Sequence, residues 1–143
     1  MSTSTAGGNS EQPAPPEEAP LTSGFKEASA EAALAASAQY QVVVYTGNVP
    51  YAGTDGNVWL WVDGTRGRSQ WLYLDNPENN FEQNKTDYFY FTLPDLGDLV
   101  AAWIYFTPAG ENAAWFLATV TVNGKTFSYY DWLVSSGTVH LRS

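Results

Sequence analysis

The sequence of 143 residues contains no cysteine and only one histidine. Without cysteine the chain forms no disulfide bond, offers no thiolate to a metal and has no cysteine nucleophile. The single histidine, His140, stands three residues from the end of the sequence, which disfavours catalytic schemes built around a central imidazole. Thiol chemistry is therefore excluded, and histidine-based catalysis is disfavoured.

Basic residues are also scarce. The chain has 6 Lys and Arg against 15 Asp and Glu, for a net charge of -9. A nucleic-acid-binding surface needs a basic stripe, and this sequence has none. No apolar run reaches the length of a membrane span, and the first residues lack the basic and apolar regions of a signal peptide. We therefore expect no nucleic-acid partner, no transmembrane segment and, for want of an export signal, a cytoplasmic location.

The composition divides the chain into two regions. Residues 1–38 contain four of the eight prolines and one of the 22 aromatic residues, and residues 39–143 contain all the other aromatics. Up to about Pro20 the small polar residues, Pro, Ala and Glu bury too little apolar surface to offset the entropy of ordering. Alanine-rich residues 22–38 favour a helix. We predict a low-complexity N-terminal tail over 1–38, disordered or partly helical, and one folded domain over 39–143.

The second region has the pattern of an all-β domain. Apolar and polar residues alternate with a period of two, and Asp63-Gly64 and Asn123-Gly124 are typical hairpin turns. The predicted strands are 41–45, 58–62, 70–74, 87–93, 99–106, 115–122, 125–130 and 138–141. About eight short strands separated by turns indicate an antiparallel sandwich or barrel.

Two loops concentrate oxygen-bearing side chains. Residues 52–57 precede the second predicted strand, and residues 75–82 separate the third from the fourth. Their carboxylates, amides and turn carbonyls are the hard ligands that Ca²⁺ prefers, whereas zinc would need histidine or cysteine. Asp, Asn, Gly and Pro are also the commonest turn formers. Plain turns are therefore the alternative interpretation of both loops.

An ordered set of short motifs runs through the folded region. The motifs are Thr-Gly at 46–47, Ala-Gly-Thr-Asp at 52–55, Asn-Asn-Phe-Glu at 79–82, Asp-Leu-Gly-Asp at 95–98 and Asp-Trp-Leu at 131–133. In this order and spacing the chain resembles the PLAT domain, which occurs in polycystins, lipoxygenases and clostridial alpha-toxin. The resemblance implies an antiparallel β-sandwich of two four-stranded sheets. It also implies a non-catalytic module that binds calcium, a membrane surface or a protein partner.

The resemblance carries a candidate calcium site onto particular residues. The implied ligands are the side chains of Thr54, Asp75, Asn76 and Asn80 and the carbonyls of Gly53 and Glu78, with Asp55 and Glu82 as second choices. Asn80 stands where the family usually has Asp, and losing that charge lowers the expected affinity. At a second position of the toxin-like pattern, Tyr51 and Ala114 replace acids. The resemblance therefore implies at most one Ca²⁺ site, and a weak one.

Lipid-binding members of this family expose aromatic side chains beside the calcium loops. The resemblance implies that Val49, Tyr51 and Trp132 face a membrane or a partner, and that Phe81 points inward. For Trp132, capping of the core is the alternative. Residues 39–143 contain ten acids and five bases, so anionic lipid would repel the domain. Docking would then need calcium as a bridge, or a zwitterionic lipid.

These observations lead to one expected function and three alternatives. The chain begins with Met and ends ten residues after the Asp-Trp-Leu motif, so we expect a stand-alone, non-catalytic module that binds lipid or a protein partner. A carbohydrate-binding module would show an exposed tryptophan pair such as Trp59 and Trp61. A metal-free adaptor would show Asp75 and Asn80 hydrogen-bonded within their own loop. An enzyme using loop carboxylates, as in glycoside hydrolysis, is disfavoured because a small sandwich offers no deep cleft.

Overall fold

The computed structural model describes residues 37–111 and 113–143. The strands are β1 (Ser37–Thr46), β2 (Asn57–Gly64), β3 (Gly67–Arg68), β4 (Leu72–Tyr73), β5 (Thr86–Pro94), β6 (Leu99–Thr107), β7 (Trp115–Val122), β8 (Lys125–Leu133) and β9 (Gly137–His140). The described residues contain no helix, and therefore none long and apolar enough to cross a membrane. The prediction of an all-β domain is confirmed.

The strands form two antiparallel sheets. One has four strands in the order β5-β1-β7-β8, and the other has five, β3-β2-β6-β9 with β4 also paired to β2. Because β6 occupies one edge of β2, β3 and β4 lie end to end along the opposite edge. The expected count of two four-stranded sheets is therefore corrected to four and five.

The extra strand arises where Ser69 interrupts the edge of the second sheet. The Ser69 hydroxyl accepts the N–H of Val62 at 3.0 Å, where a backbone carbonyl would continue the ladder. The Ser69 N–H donates to the Val62 carbonyl at 2.8 Å. The predicted strand 70–74 is thus reduced to β4, and β3 forms before it. The predicted turn at Asp63-Gly64 is wrong, because these two residues pair with Arg68 and Gly67 as part of β2.

The hydrophobic core lies between the two sheets. Each strand sends alternate residues inward, as the period of two predicts. Among the fully buried side chains of the core are Val42, Val44, Val58, Leu60, Ile104, Phe106, Trp115, Leu117 and Phe127. Phe81 is buried with them, as expected.

The first strand begins earlier than the predicted domain boundary. Ser37 pairs with Pro94 and Ala38 with Leu93, so the end of the alanine-rich stretch is strand rather than helix. Helix propensity is a weak preference that tertiary pairing overrides. Residues 1–36, and with them the rest of the predicted tail, lie outside the described residues.

Strand β2 is buried on both faces. Its core-facing residues alternate with Trp59, Trp61 and Asp63, whose side chains point away from the core and are still at most 1% exposed. Arg68 lies over the ring of Trp61, 4.0 Å from its centroid, and is itself buried. Arg68 is thus a packed side chain on the outer face of this sheet.

Candidate cation site and lipid-facing loops

The antiparallel strands bring four loops to one end of the sandwich. These loops are residues 47–56, 74–85, 108–114 and 134–136, of which Asn112 is outside the described residues. The carboxylates at this end are those of Asp55, Asp75, Glu78, Glu82, Asp87, Glu111 and Asp131. They are seven of the ten carboxylates in residues 37–143, and Lys85 is the one base among them. We call this region the acidic end; it attracts cations.

A cleft in the acidic end joins most of the predicted ligands. It has a volume of about 190 Å³. Its lining includes Thr54, Asp55, Asp75, Glu78 and Asn80. Thr54 and Asp55 belong to the loop before β2, and Asp75, Glu78 and Asn80 belong to the loop after β4. The two loops are held together by the Thr54 N–H, which donates to the Phe81 carbonyl at 3.0 Å.

Two side chains of this cleft lack partners. The Oδ1 atom of Asn80 is buried and accepts no hydrogen bond, which costs about 1–3 kcal/mol for a buried polar group. Among the described residues, no hydrogen bond or ion pair involves the Asp75 carboxylate, which is exposed. The metal-free alternative expected both side chains to bond within their own loop. The structure shows neither bond.

Thr54 and Asn76 use their side chains to hold the loops. The Thr54 hydroxyl donates to the Ala113 carbonyl at 2.8 Å and accepts from the Gly56 N–H at 3.0 Å. Asn76 lies outside the cleft lining. Its Oδ1 accepts from the Glu78 N–H at 3.0 Å, and its Nδ2 donates to the Tyr88 carbonyl at 2.9 Å. Asn76 therefore shapes the loop that presents Asp75 and Asn80.

Gly53 and Glu82 lie on a second, larger cleft of about 450 Å³. Its lining also includes Tyr51 and Glu111. A Cβ on Gly53 would be 2.9 Å from the Phe81 carbonyl oxygen, so only glycine allows the two loops to approach this closely. Glu111 was missed as a candidate because the motif comparison placed the expected acid at Ala114, three residues later. The sequence indicated Glu111 only as an acidic residue in the loop that contains Ala114.

Lys85 is an internal cation of the loop after β4. Its Nζ donates to the Asn79 carbonyl at 2.5 Å and lies 3.2 Å from Oδ1 of Asp87 and 3.6 Å from Oε1 of Glu78. Burial acts to lower the pKa of Lys85, but the Asp87 and Glu78 carboxylates outweigh it, so the pKa is raised. Asp87 is buried, and its Oδ2 accepts from the Phe81 N–H at 2.8 Å. Together these contacts fix the loop backbone beside the cleft.

The donor set at the acidic end decides which ion fits it. In residues 37–111 and 113–143, no group of three or more histidine, aspartate and glutamate side chains is arranged to hold a metal ion. Any cation would therefore depend on mixed oxygens: carboxylate, amide and carbonyl. Calcium accepts such sets in flexible geometry, and its affinity falls as charged ligands are lost. The cleft thus fits weak calcium binding and does not fit zinc.

Apolar side chains project from the same end. Tyr51 is 71% exposed, Val134 69% and Trp132 37%, while Val49 is half-buried. Trp132 also packs edge-on against Phe116, with ring centroids 5.4 Å apart. Val134 was not among the predicted lipid-facing residues; it directly follows Leu133, the last residue of β8. The acidic end therefore combines carboxylates with exposed apolar side chains.

The fold and this loop cluster define a class of module: an antiparallel sandwich with an acidic, partly apolar end. The PLAT/LH2 domain family matches residues 40–141. This match spans most of the sequence, and the chain belongs to the PLAT/LH2 domain family.

Similar proteins are much larger than this chain. Lipoxygenase homology domain-containing protein 1 of Homo sapiens is 37% identical over 84 residues, which cover 59% of this chain and 4% of that protein. Phospholipase C of Clostridium haemolyticum is 34% identical over 70 residues, covering 46% of this chain and 18% of the enzyme. The chain therefore corresponds to a small part of each relative.

Solved structures show the same fold. Coral 8R-lipoxygenase is similar with a TM-score of 0.65 and 26% identity, over 73% of this chain and 17% of that one. Its structure was described as showing calcium activation through a C2-like domain. Clostridium perfringens alpha-toxin gives a TM-score of 0.61 at 22% identity, over 74% of this chain and 31% of the toxin.

Proposed function

We propose that this domain is a non-catalytic module that docks on a lipid surface through its acidic end, assisted by one weakly bound Ca²⁺. The observation that carries the proposal is the buried, unpartnered Oδ1 of Asn80 in a cleft that also holds Asp75 and Glu78. A hard cation is the ligand that would satisfy this oxygen and neutralise the carboxylates beside it. The calcium activation described for coral 8R-lipoxygenase, through its C2-like domain, also supports a role for calcium in this proposal.

The arrangement of charge and apolar surface explains why calcium and lipid would act together. Seven carboxylates against one lysine repel an anionic lipid surface. A bound cation reduces that repulsion and can share lipid phosphate oxygens. Tyr51, Trp132 and Val134 then supply apolar area that lipid can bury. In this proposal Asp75, Asn80 and the Glu78 carbonyl hold the ion.

The outer face of the five-stranded sheet does not offer the sugar platform of the carbohydrate alternative. Trp59 and Trp61 are each only 1% exposed. The ring of Trp61 is covered by Arg68 on one side and stacked on Trp103 on the other, with centroids 5.2 Å apart and planes at 17°. A sugar needs a free ring face for stacking. The lipid-docking proposal is therefore the better supported of the two.

A calcium titration tests the cation site. We expect saturable heat from the full chain in isothermal titration calorimetry, and an affinity lower by on the order of tenfold in Asp75→Asn, because a charged ligand is lost. Asp98→Asn is the matched control, since Asp98 is an exposed aspartate at the opposite end of the sandwich. No heat at millimolar calcium, or equal loss in both variants, would contradict the site.

Vesicle sedimentation tests the docking surface. With phosphatidylcholine and phosphatidylserine vesicles in calcium, Tyr51→Ser and Val134→Ser should each weaken binding by roughly tenfold, because each removes apolar area from the contact. Tyr90→Ser is the control, since Tyr90 is 66% exposed on β5, away from the acidic end. Binding that survives chelation unchanged would contradict the role of calcium, and an equal fall in the control would contradict docking through the acidic end. No binding to vesicles at all would favour a protein partner instead.

A further inference from the structure

The outer surface of the five-stranded sheet is covered by stacked aromatic rings. We call it the aromatic face, and it comprises Trp59, Trp61, Trp71, Tyr73, Trp103, Tyr105 and His140. One row crosses the whole sheet. From β3 to β9 it runs from the Arg68 guanidinium over Trp61, then Trp103 stacked on Trp61, then His140 stacked on Trp103 at 4.0 Å and 14°. The domain core does not use these rings, because they point away from it.

A second row lies two residues away along the strands. Trp59 contacts Tyr73 on β4 and Tyr105 on β6, with ring centroids 5.1 Å and 5.5 Å apart. Same-face residues on a strand are separated by roughly 6.7 Å, so the two rows form parallel ridges. Trp71 lies against both rows, 5.2 Å from Trp61 and 6.1 Å from Tyr105.

Two indole N–H groups of this face have no acceptor. Nε1 of Trp71 and Nε1 of Trp103 are buried and unpartnered. In contrast, Trp61 donates to Oδ1 of Asp63 at 2.9 Å, and Trp115 donates to the Thr46 hydroxyl at 2.9 Å. Both unpartnered side chains reach the surface in part. An acceptor that reached either N–H from outside would supply the missing hydrogen bond.

Aromatic ridges with free indole donors suit a polyproline II segment. Such a segment presents proline rings that pack between aromatic side chains, and its backbone carbonyls accept hydrogen bonds because it has no internal ones. Its extended shape exists before binding, so docking loses little conformational entropy. The N-terminal sequence of this chain contains a proline-rich stretch, Pro13-Ala14-Pro15-Pro16-Glu17-Glu18-Ala19-Pro20, and proline-rich sequences favour this conformation.

We infer that residues 13–20 of this chain bind to its own aromatic face. Sixteen residues separate Pro20 from Ser37, where β1 begins. Fully extended they reach roughly 55 Å, which is ample for a path around a sandwich whose sheets pack about 10 Å apart. Attachment to the same chain raises the local concentration of the segment, so weak contacts suffice. The inference is independent of the calcium site and of lipid docking.

The charge distribution favours the same placement. The end of the sandwich opposite the acidic end contains four of the five bases in residues 37–143, namely Arg66, Arg68, Lys125 and Arg142, against three acids, Asp63, Asp95 and Asp98. Arg68, at one end of the first aromatic row, lies at that end of the sandwich, and His140, at the other end of the row, pairs with Trp103 in the middle of β6. Glu17 and Glu18 would be attracted there and repelled from the acidic end.

The direct test is to record the indole N–H signals of the ¹⁵N-labelled full-length protein by NMR. A variant with Pro13, Pro15 and Pro16 replaced by Ala should move the Trp71 and Trp103 indole N–H signals, and leave that of buried Trp115 in place. The signals are assigned with Trp71→Phe and Trp103→Phe. The matched control replaces Thr3, Thr5 and Ser10 by Ala in the same N-terminal region, which should move none of them. Because these substitutions lie outside β1 to β9, folding of the sandwich is not at issue.

A second arm adds the segment from outside. A synthetic peptide of residues 11–21, titrated into the proline-to-alanine variant, should move the Trp71 and Trp103 signals back toward their original positions. Unchanged signals in the proline variant would overturn the inference, as would equal changes in the control. Signals that shift with dilution of the unsubstituted protein would also overturn it, because they would show that the segment comes from a second copy.

Discussion

Replacing Arg68 by Ala is expected to lower the free energy of unfolding by about 3–5 kcal/mol, because it removes the guanidinium that pairs with the buried Asp63 carboxylate. Arg68 donates from Nε to Oδ1 of Asp63 at 2.6 Å and from Nη2 to Oδ2 at 3.0 Å. Asp63 is completely buried. Asp63 also accepts a hydrogen bond from the Trp61 indole N–H at 2.9 Å, but this donor is neutral and does not balance the charge. Chemical denaturation followed by tryptophan fluorescence measures the loss, and the melting temperature should fall by roughly 10 °C or more.

Arg66→Ala is the matched control for this prediction. Arg66 also pairs with an aspartate, Asp95, at 3.1 Å, but the two side chains are 65% and 40% exposed. An exposed ion pair is worth about 0–1 kcal/mol because water and salt screen it. Equal destabilisation by both substitutions would show that burial of the Asp63 pair contributes nothing. A nearly neutral Arg68→Ala would show that the Asp63 carboxylate is balanced in another way.

The parts of the fold that depend on local signals could be predicted from the sequence. Strand β7 has the predicted bounds, and the turn after it has φ of 46° at Asn123 and 86° at Gly124, as a type I′ hairpin requires. These features follow from neighbours in the chain. The split between β3 and β4 does not, because it depends on how the Ser69 hydroxyl meets Val62 across the sheet edge. Periodicity carries no information on that bond.

The side chains that cover Trp59 and Trp61 on the outer face of the five-stranded sheet could not be predicted from neighbours in the sequence either. Alternation predicts that Trp59 and Trp61 share one face of β2, and they do. It does not show that Arg68, Trp71 and Trp103 would cover that face, because those contacts join separate strands. A row of large aromatics on the outward positions of a central strand can be predicted, whereas its solvent exposure needs the neighbouring strands.

At the candidate site, the family resemblance located the loops but not the use of each side chain. Thr54, Asp75 and Asn80 line one cleft, as a shared role would require. Asn76 instead turns its amide toward the backbone of Glu78 and Tyr88. Glu111 joins the neighbouring cleft from a loop where the motif placed no acid. A pattern of residue types specifies which oxygens are near, and the hydrogen bonds of the folded loops decide which of them remain available.

Trp115→Ala is expected to destabilise the domain by about 3–5 kcal/mol and to disturb the acidic end together with the core. Trp115 is fully buried at the start of β7, directly beneath the loops. Its ring packs against Phe81 with centroids 5.1 Å apart. Phe81 in turn receives the Thr54 N–H at its carbonyl and donates its own N–H to Asp87. Removing the indole therefore removes the ring that packs against Phe81, and with it the packing that holds both loops of the cleft in place.

Comparison with Trp115→Phe separates this support from the single hydrogen bond of the indole. Phenylalanine keeps a ring against Phe81 but loses the N–H that donates to the buried Thr46 hydroxyl, which should cost about 1–3 kcal/mol. Denaturation gives the stability of each variant, and calorimetry below its unfolding transition gives the calcium affinity. We expect Trp115→Phe to keep the calcium affinity and folded Trp115→Ala to lose most of it. If the Ala variant bound calcium as the unsubstituted chain does, the loops would hold their geometry without the core beneath them, and the cleft would owe its shape to the hydrogen bonds and ion pairs of the loops themselves.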